Sequence, residues 1–328
     1  MISRKSLSPN FLRPVIEFEN QLSQLDKMLV DVINVSPSIR NRINQLRTSL
    51  VSLKKDIFIS LTPLQKLHLV RQPDRPTTLD YIDNIMDNWV ELHGDRGGTD
   101  DLAIVGGIGS INSITTVFIG HQRGKDTKDN VVRNFGMASP GGYRKALRLM
   151  KHANRFNFPI LTFIDTPGAW AGMEAEKLGQ GEAIAVNLRE MFSFEVPIIC
   201  TIIGEGGSGG ALGIGVGDKI LMLQHAVYTV ATPEACAAIL WKDSTKSLVA
   251  AESLRITSYD LRTLGIIDDI VEEPLCGSQS NPSQAAKNLK IKLLSELDVL
   301  LKLTGEERKK MRYSKFRRIG KFYESSQP

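Results

Sequence analysis

The sequence predicts an α/β protein in which apolar strands alternate with amphipathic helices. Apolar runs at 114–119, 160–164 and 196–203 are typical of strands, and the segments 142–156 and 176–192 between them have helical periodicity. Because these runs are largely apolar, they predict parallel strands buried on both faces of a sheet. The chain has 328 residues, of which 42% are hydrophobic, and this suits one large domain with extensions.

Two amphipathic helices precede this alternation. Within 15–32 and 39–57, apolar residues recur mainly at alternating steps of three and four, which is the heptad spacing of paired helices. The turn between them, 34–37, provides Ser36 as the N-cap and Pro37 as the first helical residue. We expect a helical hairpin that either packs on the main domain or contacts another subunit. Its seam is predicted to contain Leu22, Leu25, Leu46 and Leu50.

The chain divides into four segments on this pattern. Further strands are predicted at 102–105, 219–223, 227–230 and 266–271, and a long amphipathic helix at 281–304. Prolines at 63, 73 and 76 are typical of a linker. The predicted segments are a coiled-coil-like hairpin at 1–60, a proline-rich linker at 61–78, the core at 79–275, and a C-terminal helix with a basic tail at 276–328.

Composition excludes several classes of protein. The cysteines, Cys200, Cys236 and Cys276, lie far apart and predict reduced thiols, not a zinc site. No apolar stretch reaches the length of a membrane span, and residues 1–13 lack the apolar region of a signal peptide. Much of the net charge of +5 lies in 302–321, which we interpret as a solvated helix and tail or as a surface for a polyanion or partner. No nucleic-acid role is required.

A cluster of glycines follows the strand at 196–203 and predicts an anion site. Gly206, Gly207, Gly209 and Gly210 permit positive φ angles and let a ligand approach main-chain N–H groups. A helix that begins here would add its unpaired N-terminal donors. The segment 206–211 is therefore predicted to hold a developing oxyanion.

Two other motifs compete for the chemistry. Residues 120–127 resemble a P-loop and 165–168 resemble a second GTPase turn, but the glycine spacing is wrong and Asp126 separates Lys125 from Thr127. Gly206-Gly207-Ser208-Gly209-Gly210 also fits the nucleophile elbow of a serine hydrolase. That alternative makes Ser208 the nucleophile and leaves His225 as the only downstream histidine.

Several ordered blocks resemble one known family. They are 120–128, 133–137, 142–150, 163–168 and 204–211, which together resemble the alpha subunit of the acetyl-CoA carboxylase carboxyltransferase. The resemblance spans nearly the whole chain and is specific because many blocks occur in order. It implies the crotonase (ClpP-like) fold, a spiral of ββα units whose backbone N–H groups form oxyanion holes.

The resemblance also implies partners and cofactors. A beta subunit is expected to carry a four-cysteine zinc ribbon and most of the acyl-CoA site, with zinc on that subunit and not on this chain. Biotin is expected on a carrier protein, from which the pair transfers a carboxyl group to acetyl-CoA to give malonyl-CoA for fatty-acid synthesis. Biotin carboxylase is expected to use ATP, and the two kinds of subunit are expected to form an α2β2 heterotetramer.

The resemblance assigns roles to particular residues. It implies a backbone oxyanion hole for the biotin ureido oxygen within 206–211, with donors either from Gly206 and Gly207 or from Gly209, Gly210 and Ala211. Asp165, Thr166, Pro167 and Gly168 are expected to shape the pocket wall. Arg123, Lys125, Lys128 and Arg133 lie either in a solvated loop or against the CoA phosphates or carboxylates.

Two further expectations follow from the resemblance. An enoyl-CoA hydratase or isomerase of the same fold stays an alternative, in which Glu174 and Glu176 would form the catalytic pair. The segments 138–142 and 169–172 resemble the cyanobacterial and plastid branch of the family. The expected location is therefore the plastid (chloroplast) stroma, or otherwise the bacterial cytoplasm.

Overall fold

The structure, a computed structural model, describes residues 10–30 and 36–320. Outside the described residues lie the first nine residues, the end of the first predicted helix with Val32, the turn residues Asn34 and Val35, and the tail from 321 onward. Ser36 caps the second helix as predicted, since its side chain accepts a hydrogen bond from the Ile39 N–H, and Pro37 is the first helical residue. No helix in the described ranges is long and apolar enough to cross a membrane.

The hairpin consists of α1 (Arg13–Val30) and α2 (Pro37–Ile59). Val15, Leu22 and Leu50 are buried in its seam, and Leu46 packs against them. Leu25 is instead 42% exposed, so its predicted place in the seam is wrong.

The segment predicted as a linker contains a packed helix, α3 (Pro63–Val70). Thr62 and Gln65 form a capping box, and Pro63 is the first helical residue rather than a helix breaker. The buried side chains of Leu67 and Val70 pack against Val227. Helix α4 (Thr78–Ile85) follows directly. The four-segment division stays a prediction, but 61–78 is not an extended linker.

A single sheet carries the core. Its strands are β1 (Asn88–Glu91), β2 (Ile104–Ile111), β3 (Ile114–His121), β4 (Ile160–Thr166), β5 (Ile198–Gly207), β6 (Lys219–Leu223), β7 (Val227–Thr229) and β8 (Asp269–Val271). They are ordered β1-β2-β3-β4-β5-β6-β8, and β7 pairs with the end of β5. The first three strands are antiparallel, and all later pairings are parallel as predicted. Every residue of β4 and β5 is buried.

Helices cover the sheet. They are α5 (Thr127–Val132), α6 (Pro140–Phe156), α7 (Met173–Lys177), α8 (Gln180–Ser193), α9 (Ser208–Leu212), α10 (Pro233–Trp241), α11 (Ser247–Leu254), α12 (Ser258–Thr263), α13 (Pro282–Leu301) and α14 (Gly305–Arg317). The single helix predicted at 176–192 is divided because Gly179 adopts a left-handed φ of 81° between α7 and α8. Burial raises the pKa of the core thiol of Cys200 to about 12, and all three cysteines are free.

The basic C-terminal segment is anchored by one buried arginine. Arg312 in α14 is 1% exposed and donates to both carboxylate oxygens of Asp218, at 2.9 and 2.8 Å. It also donates to the carbonyls of Met191, Phe194 and Val196. The interpretation of 302–321 as a solvated helix therefore fails at Arg312. We call Arg312 and Asp218 the amino-end cluster, because Asp218 also binds the N–H of Ile198, the first residue of β5.

Candidate functional site

The predicted glycine cluster lies where β5 passes into α9. Gly206 and Gly207 end the strand, and Ser208 begins the helix. None of the four glycines has a positive φ; the left-handed residue is Ser208, with a φ of 50°. The expectation that the glycines supply positive φ angles is therefore wrong, and the turn is made by a non-glycine residue instead.

Close backbone contact explains the glycines. A Cβ on Gly207 would lie 2.1 Å from the carbonyl oxygen of Pro167, and a Cβ on Gly210 would lie 2.4 Å from the Ala169 nitrogen. A Cβ on Gly209 would meet nothing closer than 3.9 Å. The turn after β4 thus packs directly on the glycine segment. None of residues 165–168 lines the apolar pocket that opens beside α9, so their role as a pocket wall stays a prediction.

Two buried carboxylates and two partly exposed arginines lie next to this turn. Glu205 is 1% exposed and accepts hydrogen bonds from Arg71, at 2.6 and 3.0 Å, and from Arg123 at 3.0 Å. The Nε of Arg123 lies 3.1 Å from an oxygen of Asp165, although it is not aligned as a hydrogen bond. Asp165 accepts the backbone N–H of Glu205 at 2.9 Å. We call these four residues the carboxyl-end cluster.

The two carboxylates experience different electrostatics. Burial raises the pKa of Asp165, and the nearby Arg123 charge offsets this only in part. Burial also favours a raised pKa for Glu205, but the hydrogen bonds and charges of Arg71 and Arg123 outweigh this effect and lower its pKa. Glu205 is therefore held as a carboxylate between two guanidinium groups.

A strained turn supports the cluster from the loop after β3. Asn134, Phe135 and Gly136 have consecutive φ angles of 45°, 55° and 77°. A Cβ on Gly136 would lie 3.0 Å from the Asp165 carbonyl oxygen and 3.1 Å from the Arg123 side chain. Such runs of left-handed residues persist only where their surroundings hold them, and they concentrate at functional sites.

The other predicted cations of this loop lie apart from the cluster. The Lys125 ammonium pairs with Asp80 at 2.6 Å, and Arg133 pairs with Asp129 at 2.8 Å. Lys128 is exposed and makes no ion pair with any of the described residues. Of the four predicted cations, only Arg123 reaches the strand ends, and its partners there are carboxylates of the protein itself.

An apolar pocket of about 330 Å³ opens beside the start of α9. This volume lies at the lower end of the range for small-molecule sites. A larger groove of about 460 Å³ on α6 is lined by basic side chains, and none of the glycine segment contributes to it. The smaller pocket is the candidate site because backbone of the glycine segment forms one wall. Its lining residues are Ser208, Gly209, Leu212, Tyr228, Thr229, Val230, Leu254, Leu261 and Ile266.

The geometry does not assemble a serine triad. Ser208 is exposed on a left-handed turn, as a nucleophile elbow requires, but its hydroxyl makes no hydrogen bond to a histidine within the described ranges. His225 is buried, packs edge-on against Phe58, and burial lowers its pKa to about 4. Burial and the charge of Arg123 lower the pKa of His121 to about 3. Both imidazoles are neutral interior groups.

The alternative carboxylate pair is also not assembled. Glu174 and Glu176 are exposed in α7, where Glu174 lies 3.3 Å from the Lys177 ammonium. Neither lines the apolar pocket. Within 10–30 and 36–320, no group of three or more His, Cys, Asp or Glu side chains is placed to hold a metal ion.

Comparison with known proteins decides the family. The sequence model of the family described as acetyl co-enzyme A carboxylase carboxyltransferase-like matches residues 9–320. The chain belongs to this family. It is 72% identical over 324 residues to the acetyl-coenzyme A carboxylase carboxyl transferase subunit alpha of Antithamnion sp., covering 99% of this chain and 100% of the relative. A subunit of the same name from Trichodesmium erythraeum (strain IMS101) is 59% identical, covering 98% of this chain and 99% of the relative.

A solved structure shows the fold of this carboxyltransferase-like chain. It resembles a Pseudomonas malonate decarboxylase hetero-dimer with a TM-score of 0.55 and 16% identity, covering 73% of this chain and 97% of the other. The predicted crotonase fold and the predicted family are confirmed. The predicted site residues themselves stay a prediction.

Sequence reasoning missed part of the site of this carboxyltransferase-like chain. Arg71 lies in the segment predicted as a linker, and the sequence predicts no role for Glu205, which lies between Gly204 and Gly206. A signal for Glu205 was present, since a carboxylate inside an otherwise apolar buried strand requires a cationic partner. Which arginine supplies it depends on contacts across more than a hundred residues.

Proposed function

We propose that this chain is the alpha subunit of the carboxyltransferase of a multisubunit acetyl-CoA carboxylase. Relatives of that name match it over their whole length, and this observation carries the proposal. The carboxyl group passes from biotin on a carrier protein to acetyl-CoA, which yields malonyl-CoA for fatty-acid synthesis.

The apolar pocket and the adjoining glycine segment are proposed to bind biotin. Leu212, Tyr228 and Val230 offer apolar contact to its ring system, and the backbone at Ser208 and Gly209 adjoins them. Biotin, when bound, carries the transferred carboxyl group. The fit rests on the combination of apolar walls with a polar backbone edge, which suits a ring that has one polar ureido group.

The chain's own contribution is electrostatic. The first N–H groups of α9 have no partner within that helix, so they are available to an oxyanion. Loss of one such donor typically raises a barrier by about 3 kcal/mol. Gly206, Gly207, Gly209, Gly210 and Ala211 are the proposed backbone set. His121 and His225 do not line the apolar pocket, and the proposed chemistry requires no general base from this chain.

Partners complete the proposed reaction. A beta subunit, expected to carry the zinc ribbon and most of the acyl-CoA site, supplies the second half in an α2β2 assembly. The biotin carrier protein and an ATP-using biotin carboxylase supply the carboxyl group. Lys128, which is exposed in α5, is the predicted cation that we propose meets the CoA phosphates. Red algal and cyanobacterial relatives support the plastid stroma, or otherwise the bacterial cytoplasm, as the location.

Reconstitution tests the proposal. The full chain, its beta subunit and their mixture are each assayed for malonyl-CoA decarboxylation with biocytin as the carboxyl acceptor. We expect activity in the mixture and only background from either subunit alone. Full activity of this chain alone, or none in a mixture that forms a stable complex, contradicts the proposal. A fluorophosphonate treatment of the mixture serves as the control for serine hydrolase chemistry and is expected to leave transfer unchanged.

A further inference from the structure

The pairing between β4 and β5 is interrupted beside the proposed site. Ile164 pairs with Ile202 and Thr166 pairs with Gly206, so two steps along β4 face four steps along β5. The bulged residues are Ile203, Gly204 and Glu205. A bulge of this kind leaves backbone groups outside the ladder and redirects the strand that follows it.

Side chains replace the missing ladder bonds. The Arg75 guanidinium donates to the Ile203 carbonyl at 3.0 and 2.7 Å, and the Asp165 carboxylate accepts the Glu205 N–H at 2.9 Å. A Cβ on Gly204 would lie only 2.3 Å from that carboxylate, so glycine is required for the approach. The Glu205 N–H in the bulge therefore depends on Asp165 as its hydrogen-bond acceptor.

Arg123 ties the bulge to the turn that follows β4. Its guanidinium spans Glu205 on the bulge and Asp165 on β4, and 18% of its side chain is exposed. Two residues after Asp165, the Pro167 carbonyl packs against Gly207. The backbone position of Gly206 and Gly207 is thus set from both sides by one connected group of side chains.

We propose that Asp165, bridged to Glu205 by Arg123, is a positioning residue that fixes the bulge and thereby aims the backbone N–H groups of 206–211. This rests on the proposed function. The cost of a misplaced catalytic group is steep, because an oxyanion gains only from donors already held in place. Asp165 acts through the backbone and not by touching substrate.

Paired substitutions of Asp165 test the role in the reconstituted alpha–beta complex. Asp165→Ala removes the acceptor of the Glu205 N–H, whereas Asp165→Asn keeps an amide oxygen that can accept it. We expect Asp165→Ala to lower kcat about 100-fold, a loss typical of one oxyanion donor, with the KM for malonyl-CoA unchanged. Asp165→Asn should recover most of that loss. Glu174→Gln, an exposed carboxylate in α7, is the matched control and should retain wild-type kcat and KM.

Hydrogen exchange provides a readout that does not depend on activity. In the full chain, Asp165→Ala should speed exchange within 203–211, while peptides from β6 keep their wild-type protection. Arg123→Met breaks the bridge, including its hydrogen bond to the Glu205 carboxylate, but leaves the backbone hydrogen bonds of the bulge to Arg75 and Asp165 in place. It is measured alongside and should lower kcat at least tenfold even if Asp165→Ala does not fold.

Each remaining outcome has a defined meaning. Wild-type kcat in the folded Asp165→Ala complex, unchanged exchange within 203–211, or equal losses for Asp165→Ala and Asp165→Asn overturns the inference. A wild-type kcat for Arg123→Met overturns the bridge. Failure of the wild-type complex to transfer carboxyl groups instead contradicts the proposed function, so the two failures are distinguishable.

Discussion

The two ends of β5 carry the same kind of interaction in different surroundings. At its amino end, Arg312 and Asp218 are almost fully buried, with side-chain exposures of 0% and 3%. At its carboxyl end, the carboxylate of Glu205 is equally buried, but Arg71 is 32% and Arg123 18% exposed. One cluster is closed on all sides, whereas the other reaches the surface near the proposed site.

The difference separates stability from function. The amino-end cluster joins α14 to the start of β5 and to the end of α8, so every hydrogen bond that Arg312 donates holds the C-terminal helix to the core. The carboxyl-end cluster instead spans a strand bulge and a turn that contacts the glycine segment. Loss of the first should unfold the chain, and loss of geometry at the second should reduce catalysis in a folded chain.

The largest effect is expected from Arg312→Met. The substitution leaves the Asp218 carboxylate buried without its cation and three carbonyls without their donor, which typically costs about 3–5 kcal/mol of unfolding free energy. Urea denaturation measures it. Arg317→Met in the same helix removes an exposed arginine and should change the unfolding free energy by less than about 0.5 kcal/mol. Equal losses of unfolding free energy in the two variants would show that the buried Arg312 contributes no more to stability than an exposed arginine.

The next largest effect concerns the carboxyl end. Gly207→Ala places a methyl group 2.1 Å from the Pro167 carbonyl oxygen, and Gly181→Ala, in α8, places one where no atom lies within 4 Å. We expect Gly207→Ala to lower kcat by about 100-fold or more and Gly181→Ala to stay near wild type. The assay is carboxyl transfer by the reconstituted complex. Normal transfer and normal circular dichroism of the Gly207→Ala complex would show that carboxyl transfer does not require the close contact between Gly207 and Pro167.

Acid should lower the free energy of unfolding through His121, a buried histidine at the end of β3. Burial and Arg123 lower the pKa of His121 to about 3, so the folded chain keeps it neutral while the unfolded chain protonates it below about pH 6.5. The unfolded state then binds the extra proton, and stability falls as pH falls, by about 2 kcal/mol between pH 6.5 and 5.

The matching measurement is urea unfolding at pH 7, 6 and 5. His121→Gln removes the titrating group, so its unfolding free energy should fall by about 2 kcal/mol less over the same range. His225, whose pKa is lowered to about 4, remains in the variant. The unfolding free energy of the variant should therefore still fall with pH, but less steeply than that of the wild type. If the unfolding free energy falls equally with pH in the wild type and in His121→Gln, this histidine does not titrate on unfolding.

Local sequence signals predicted much of the fold. The strands β3, β4, β5 and β6 and the helices α6 and α13 follow from apolar runs and helical periodicity, and Ser36 follows from the chemistry of helix caps. The missed helix α3 shows the limit of such signals, because a proline before a short helix resembles a linker until Leu67 and Val70 find their partners.

In the region of the proposed site, too, local motifs could be predicted and long-range contacts could not. The glycine segment and the turn at 165–168 are recognisable in the sequence because each is a local motif, and they contact each other in the structure. Their roles in binding stay predictions. The partners of Arg123 were not, because its pairing with Glu205 and Asp165 depends on how β3, β4 and β5 align in space. The left-handed φ of Ser208 also escaped prediction, because glycine neighbours offered an easier place for it.

The smallest effect is expected from Ser208→Ala. The serine hydroxyl makes no hydrogen bond with another described residue, and alanine leaves every backbone N–H of the segment in place. Alanine tolerates the left-handed φ about as well as serine does, so the turn should persist. We expect carboxyl transfer to stay within about tenfold of wild type, a change of at most about 1.4 kcal/mol in the barrier. If transfer collapses while circular dichroism and assembly with the beta subunit stay normal, the hydroxyl is chemically essential. The backbone account of the carboxyl end of β5 is then wrong.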